Sequence, residues 1–343
     1  MKIEAYSPTI RRREMDAVLT CLVSEKIGPG EMNTKFGQLL KEKLPLDFSV
    51  ALRSPTYALA LSLKALGVEK GSKIIVSALA PFWHYSGVVA AGYEPLVVDV
   101  SSDTGFPTAL VLENAVKEGG RAVVLHEPLG LLPEFREYES LGIPVIEDIS
   151  QSFGAVSGEQ KAGTFGSYCI LGLEEKDLLT CAGGAVLIAG SRREGVVLKH
   201  LLEDVPSEEL LPDVNSALGF VQLKELERNS QVSKEIHDLY IKSFFRNAGK
   251  HKMLLTAENV VPAVYSFPVV LSGGVKEVRA YAHKKEVETA FAFENSVYSK
   301  RQEEMENYIN AKSLFLRTLL FPLYPRLGKT NVSKVIKVLA TLP

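Results

Sequence analysis

Between residues 50 and 190 the chain alternates apolar, strand-length runs with helix-length segments, and that alternation limits the folds open to it. Ile74-Ile75-Val76-Ser77, Pro95–Val100, Ala122–His126, Ile143–Asp148, Tyr168–Leu173 and Ala185–Ala189 read as strands. Thr56–Leu66, Phe82–Ala91 and Leu110–Glu118 have helical length, and each is followed by a glycine (Gly67, Gly92, Gly119) that can take the left-handed conformation ending a helix. Strands that are continuous apolar runs are buried on both faces, as in a parallel sheet covered by helices. The expected class is therefore α/β, with a large domain built on a mostly parallel sheet sandwiched by helices. In such sheets ligands bind beyond the carboxyl ends of the strands. Asp99, His126 and Glu147-Asp148, the polar residues ending these runs, are the first places to look for chemistry.

After about residue 225 the texture changes. Glu225–Asn247 is a long, charged, amphipathic helix candidate, Tyr265–Leu271 a strand, and Thr330–Leu342 a closing helix. The expected division is a large domain over 1–230 and a small C-terminal α+β domain over 231–343. A length of 343 residues suits about two domains of roughly 150 residues each. Lysine plus arginine (39) nearly balances aspartate plus glutamate (41), a net charge of −2, so no basic excess exists to grip nucleic acid or an anionic membrane. Three cysteines (Cys21, Cys169, Cys181) are a poor disulfide framework and point to a reducing compartment. The start, Met1-Lys2-Ile3-Glu4-Ala5-Tyr6, lacks the apolar core of a signal peptide, and no run approaches the ~20 apolar residues of a membrane helix. A cytoplasmic location is expected.

Several chemistries lack their signatures. No Gly-x-Gly-x-x-Gly follows a strand, and neither a P-loop nor a Gly-x-Ser-x-Gly elbow occurs. The six histidines are scattered without His-x-x-x-His spacing, so no metal site is expected. Four segments instead fit a pyridoxal phosphate site. Ser54-Pro55-Thr56-Tyr57-Ala58-Leu59 stands at a helix start, where free N–H groups suit a phosphate; a plain N-cap would look the same. Glu147-Asp148-Ile149-Ser150-Gln151 ends an apolar strand. An acid there can pair with a protonated pyridine nitrogen, and Gln151 can donate to the ring hydroxyl; a carboxylate capping the next helix is the alternative. Lys176 offers an amine for a Schiff base, although it also reads as an exposed lysine beside Glu174, Glu175 and Asp177. Gly183-Gly184 lets backbone pass close to a cofactor or another chain, or simply turns into a strand.

Taken together these residues resemble the DegT-type sugar aminotransferase family, pyridoxal phosphate enzymes with the aspartate aminotransferase-like fold. The likeness runs over nearly the whole chain, from Ile27-Gly28-Pro29-Gly30 to Leu320-Phe321-Pro322-Leu323-Tyr324-Pro325. It is closest over Val145–Ala155, and Lys176 followed by Gly183-Gly184 keeps the family's spacing. The resemblance implies that Lys176 holds the cofactor and acts in catalysis, Asp148 holds the pyridinium, and Gln151 touches the ring oxygen. It also implies that Ser54 and Thr56 bind phosphate, and that Phe82 or Trp83 stacks on the ring. It further implies amino transfer, with glutamate as usual donor, onto a nucleotide-linked keto sugar in polysaccharide or secondary-metabolite synthesis, by a homodimer with shared active sites. The chain departs from the family pattern at the phosphate: Pro55 replaces a glycine, Gly172 stands where a serine precedes the lysine, and Glu208 falls near a partner-chain asparagine. Ala80-Pro81 replaces a Thr-aromatic pair, and Ala182 a glutamate. These departures keep open a second reading, a catalytically impaired homologue with a binding or regulatory role.

Overall fold

The computed structural model describes residues 2–44, 47–247 and 251–343. Two helices, α1 (Arg12–Val23) and α2 (Glu31–Lys43), lead into an edge strand β1 (Phe48–Leu52). Helix α3 (Pro55–Ala65) follows, with the Ser54 hydroxyl accepting from the Tyr57 N–H as its N-cap and Pro55 at its first turn. Alternation then runs through β2 (Lys73–Ser77), α4 (Phe82–Ala90), β3 (Glu94–Val98), α5 (Ala109–Lys117), β4 (Gly120–His126) and β5 (Val145–Asp148). A short hairpin, β6 (Val156–Ser157) and β7 (Gln160–Lys161), precedes the long apolar strands β8 (Tyr168–Gly172) and β9 (Ala185–Ala189). Helix α6 (Arg192–Leu201) and the 35-residue α7 (Asp213–Asn247) complete this part.

Seven of these strands form one sheet in the order β1-β9-β8-β5-β4-β2-β3. The pairs β3–β2, β2–β4, β4–β5 and β5–β8 are parallel, while β9 runs antiparallel to both β8 and β1. Side chains alternate across the strands, and both faces are buried. Ile74, Val76, Val124, Ile146, Ile170 and Leu187 face one core with α3, α4 and α6. Ile75, Val123, Leu125, Cys169, Leu171 and Val186 face another with α2, α5 and α7. That double burial is why the strands read as unbroken apolar runs rather than alternating ones. Gly87 keeps α3 and α4 close, since a Cβ there would sit 3.1 Å from Leu59 and 3.4 Å from Thr56 Cγ2.

Strand β10 (Val260–Val261) pairs with β6 and adds Val260 to the second core, while a third core gathers around β11 (Phe267–Val270), β12 (Ala290–Phe291) and β13 (Thr318–Phe321), an antiparallel sheet with β13 in the middle. Helices α8 (Val275–Lys284) and α11 (Lys329–Leu339) pack on this third core, while α9 (Val297–Lys300) and α10 (Ile309–Arg317) pack on the first. Phe267, Val269 and Phe321 pack with Tyr240 and Phe244 from the far end of α7. Residue 230 lies inside α7, which is unbroken and contributes to both the second and third cores. The amino-terminal Ile3 pairs with Val287 and is buried in the third core.

Candidate active site

Beyond the carboxyl ends of β4 and β5 lies a cavity of about 240 Å³, just under the ~300–1,000 Å³ usual for small-molecule sites. Its lining includes Trp83, His126, Ser150, Gln151, Lys176 and Tyr265. Segment 290–296 closes another side and adds Glu294.

Lys176 sits on the turn after β8, and neighbours from both ends of the chain hold that turn. The Tyr6 hydroxyl donates to the Glu175 carbonyl, and the Tyr265 hydroxyl donates to the Lys176 carbonyl at 2.8 Å. Burial, with Asp177 adding to it, pushes the Tyr265 phenol up, so it remains a donor. The Lys176 amine pairs with the Glu294 carboxylate at 2.8 Å. The two side chains are 55% and 44% exposed, so the pair is a weakly held surface contact that gives up its amine easily. Gln151 turns its Oε1 to the Leu129 N–H at 2.7 Å, which aims the amide as a donor from Nε2.

Asp148 ends β5 behind the cavity wall and is fully buried. Its Oδ2 lies 2.8 Å from His84 Nε2 and 2.9 Å from His126 Nδ1, and its Oδ1 accepts from the Ser150 N–H and hydroxyl. Burial alone would raise its pKa; the hydrogen bonds from His126 and His84 outweigh it and hold the carboxyl well below the usual range. Burial lowers the pKa of His84, so its imidazole is neutral and gives Asp148 its Nε2–H. The two histidines and Asp148 bring ligand atoms within 4.8 Å of one another, a closeness that the direct hydrogen bonds explain.

The other strand-end acids serve the fold. Asp99 accepts from the N–H groups of Asn310 and Ala311 and so caps α10. Glu147 accepts from Gly163, Phe165 and Gly166, pinning the Gly163-Thr164-Phe165-Gly166 loop. Burial, with Glu147 adding to it, pushes the Glu127 carboxyl well up, and the Ser152 hydroxyl donates to it.

Of the six residues singled out in the sequence, Lys176 and Gln151 line the cavity and Asp148 stands directly behind it. Ser54 and Thr56 are outside the lining: Ser54 caps α3, and Thr56 turns its methyl toward Gly87 of α4. Phe82 also lies outside, packed on Tyr85 with ring centroids 5.8 Å apart, while Trp83 reaches the cavity. Where a serine side chain would project from position 172, a Cβ would lie 2.5 Å from Ser150 Oγ and 2.6 Å from Asp177 Oδ2, so that space is filled. Glu208 is exposed on a short turn of its own chain, next to the residues that pair with Leu52 and Arg53. Gly184 approaches its own chain: a Cβ there would meet Leu211 at 2.5 Å and the Leu52 carbonyl at 2.8 Å.

This donor set fits the aldehyde, hydroxyl and ring of pyridoxal phosphate, with an amine, an amide and an aromatic face around one cavity and a carboxylate behind it. For the phosphate end the described lining residues offer neutral donors, Ser266, Asn295 and Ser296, and no arginine, beside the acidic Glu174, Asp177 and Glu294. His84, on Asp148, carried no sequence signal: no ligand spacing marks it, and its contact spans 64 residues; Ser150, also on Asp148, lay within the segment singled out but without an assigned role.

Comparison with known proteins places the whole chain. The family model for DegT/DnrJ/EryC1/StrS aminotransferases matches residues 8–340. GDP-perosamine synthase of Escherichia coli O157:H7 is 22% identical over 353 residues, covering 96% of this chain and 95% of the relative. UDP-4-amino-4,6-dideoxy-N-acetyl-beta-L-altrosamine transaminase of Campylobacter jejuni is 27% identical over 259 residues, 69% of this chain and 68% of that one. In fold, DesV of S. venezuelae, solved with a ketimine intermediate, matches with a TM-score of 0.88 at 19% identity, covering 99% of this chain and 98% of its own. A sugar aminotransferase structure from Streptococcus pneumoniae, solved in its pyridoxal phosphate form, matches with a TM-score of 0.89 at 20% identity, covering 99% and 98%. The chain belongs to the DegT/DnrJ/EryC1/StrS aminotransferase family, pyridoxal phosphate-dependent enzymes whose relatives here act on sugars.

Proposed function

We propose that the protein moves an amino group, with glutamate as donor, onto a keto sugar carried by a nucleotide, in polysaccharide or secondary-metabolite synthesis. The observation that carries this reading is the convergence of Lys176 and Gln151 on one cavity, with Asp148 at its back. Bound pyridoxal phosphate supplies the electron sink that a carbanion needs. Lys176 would hold the cofactor and, as a free amine, would accept and return a proton at its Nζ; Glu294 lies 2.8 Å from that amine at the cavity mouth. Gln151 donates to the ring hydroxyl. Ser54 and Thr56 are proposed phosphate contacts at the start of α3, with Phe82 or Trp83 against the ring. The relatives named above act on nucleotide-linked sugars, which supports that substrate class.

We also propose a cytoplasmic homodimer that shares active sites, and a two-domain division near residue 230. Among the described residues no helix is long and apolar enough to cross a membrane. Met15, Leu19 and Leu22 line an exposed apolar stripe on α1, which supports self-association.

A second reading, an impaired homologue with a binding or regulatory role, is favoured by the four donors already on Asp148 and by the altered phosphate end. Assaying purified protein with glutamate and a panel of nucleotide-linked keto sugars separates the two. The aminotransferase reading expects 2-oxoglutarate and an amino sugar, both lost at least ~1,000-fold in Lys176→Ala. No 2-oxoglutarate with any acceptor, at saturating cofactor, would favour the impaired homologue.

A further inference from the structure

His84 is a buried titratable side chain to which amino transfer gives no role. It stands in α4, fully buried, and puts Nε2 2.8 Å from Asp148 Oδ2. A carboxylate offers about four lone-pair sites, and four donors occupy those of Asp148: His84, His126, and the N–H and hydroxyl of Ser150. A pyridinium N–H needs one of them. His84 is the donor with the most to gain by leaving. Its Nδ1 is buried with no hydrogen-bond partner, a standing cost to the packed position. Trp83, whose ring centroid is 4.1 Å from that of His84, lines the cavity, so the contact lies one side chain behind the cavity wall.

We propose that the His84 imidazole stands in for a pyridinium N–H at Asp148 and competes with pyridoxal phosphate for that carboxylate, so that the cofactor seats fully as His84 turns away. The chemistry is matched, since imidazole Nε2–H and pyridinium N–H are both flat-ring donors to an anionic acceptor. Burial keeps His84 neutral, which lets it leave the carboxylate without carrying a charge. The inference rests on the reading that this chain binds pyridoxal phosphate. It adds that the chain's own histidine sets the affinity.

The test is pyridoxal phosphate binding, by equilibrium dialysis and by absorbance, to wild type, His84→Ala, His84→Gln and His200→Ala. His84→Ala should bind about tenfold to a hundredfold tighter, the range set by one hydrogen bond to a charged group. His84→Gln, whose Nε2 amide reaches the position of the imidazole Nε2 and can still donate to Asp148, should stay near wild type. His200→Ala, an exposed histidine on α6, should not change. Equal or weaker binding by a folded His84→Ala overturns the competition but leaves the cofactor reading intact; no binding by any of the proteins overturns both. Should His84→Ala fail to fold, His84→Thr and histidine-ring 15N NMR of the wild type decide. A ring signal of a carboxylate-bound histidine that moves on cofactor addition supports the proposal, and a set of signals unchanged at saturation overturns it. Tighter binding in His84→Ala without amino transfer upholds the competition and removes the transferase reading alone.

Discussion

Asp148 and His84 respond to acid in the same direction. The Asp148 pKa is held low by hydrogen bonds that burial opposes, so its stabilisation is full above the unfolded value near ~3.9 and is lost as pH falls below it. Burial lowers the His84 pKa, so the unfolded chain takes up a proton first; stability is full above ~6.5 and declines as pH falls from there toward the folded value. Urea unfolding of the wild type should therefore weaken steadily from pH 7 to pH 5 and again below pH 4. His84→Ala should show a smaller fall in the first interval. An equal slope in both proteins between pH 7 and pH 5 would contradict the assignment. Asp148, Gln151 and Lys176 could be singled out from sequence because each follows a recognisable strand end at short range. The His84 contact could not be. It joins a helix after β2 to the end of β5 across 64 residues, and only the parallel order of the sheet brings the two together.

At the scale of elements, the strands β2, β3, β4, β5, β8 and β9 and the helices α3, α4 and α5 were legible because burial on both sheet faces leaves unbroken apolar runs. Residues 12–52 were not. Helix α1 carries arginines at its start and apolar side chains on its exposed face, and β1 is a five-residue edge strand whose partner, β9, lies well over a hundred residues away. The Gly183-Gly184 pair was read as a close approach of backbone, and its structural cause is internal. Gly184 has φ +105° and faces the Leu52 carbonyl and Leu211. Gly184→Ala should cost about 2–5 kcal/mol, combining left-handed strain with overpacking, as measured by denaturant unfolding. A loss under about 0.5 kcal/mol, the range of neutral surface changes, would show that β9 and segment 210–211 can part freely.

At the scale of the molecule, α7 ties the parts together. Its first half packs under the seven-stranded sheet and its second half under the C-terminal sheet, and the amino-terminal Ile3 closes the latter core. The balanced net charge of −2 has little bearing on an anionic substrate. Local charge has more, since the cavity lining holds Lys176 among Glu174, Asp177 and Glu294. The apolar stripe on α1 makes assembly testable. Sedimentation should show a dimer for the wild type and a shift toward monomer for Leu19→Asp with Leu22→Asp; a wild-type monomer at micromolar concentration would contradict the shared-site proposal. The central claim, that Lys176 carries the cofactor in this cavity, is tested most directly by borohydride reduction at saturating pyridoxal phosphate, followed by peptide mass mapping. The account predicts one pyridoxyl group, on the peptide containing Lys176 and absent from Lys176→Ala. A label spread over surface lysines, or none on Lys176, would contradict it.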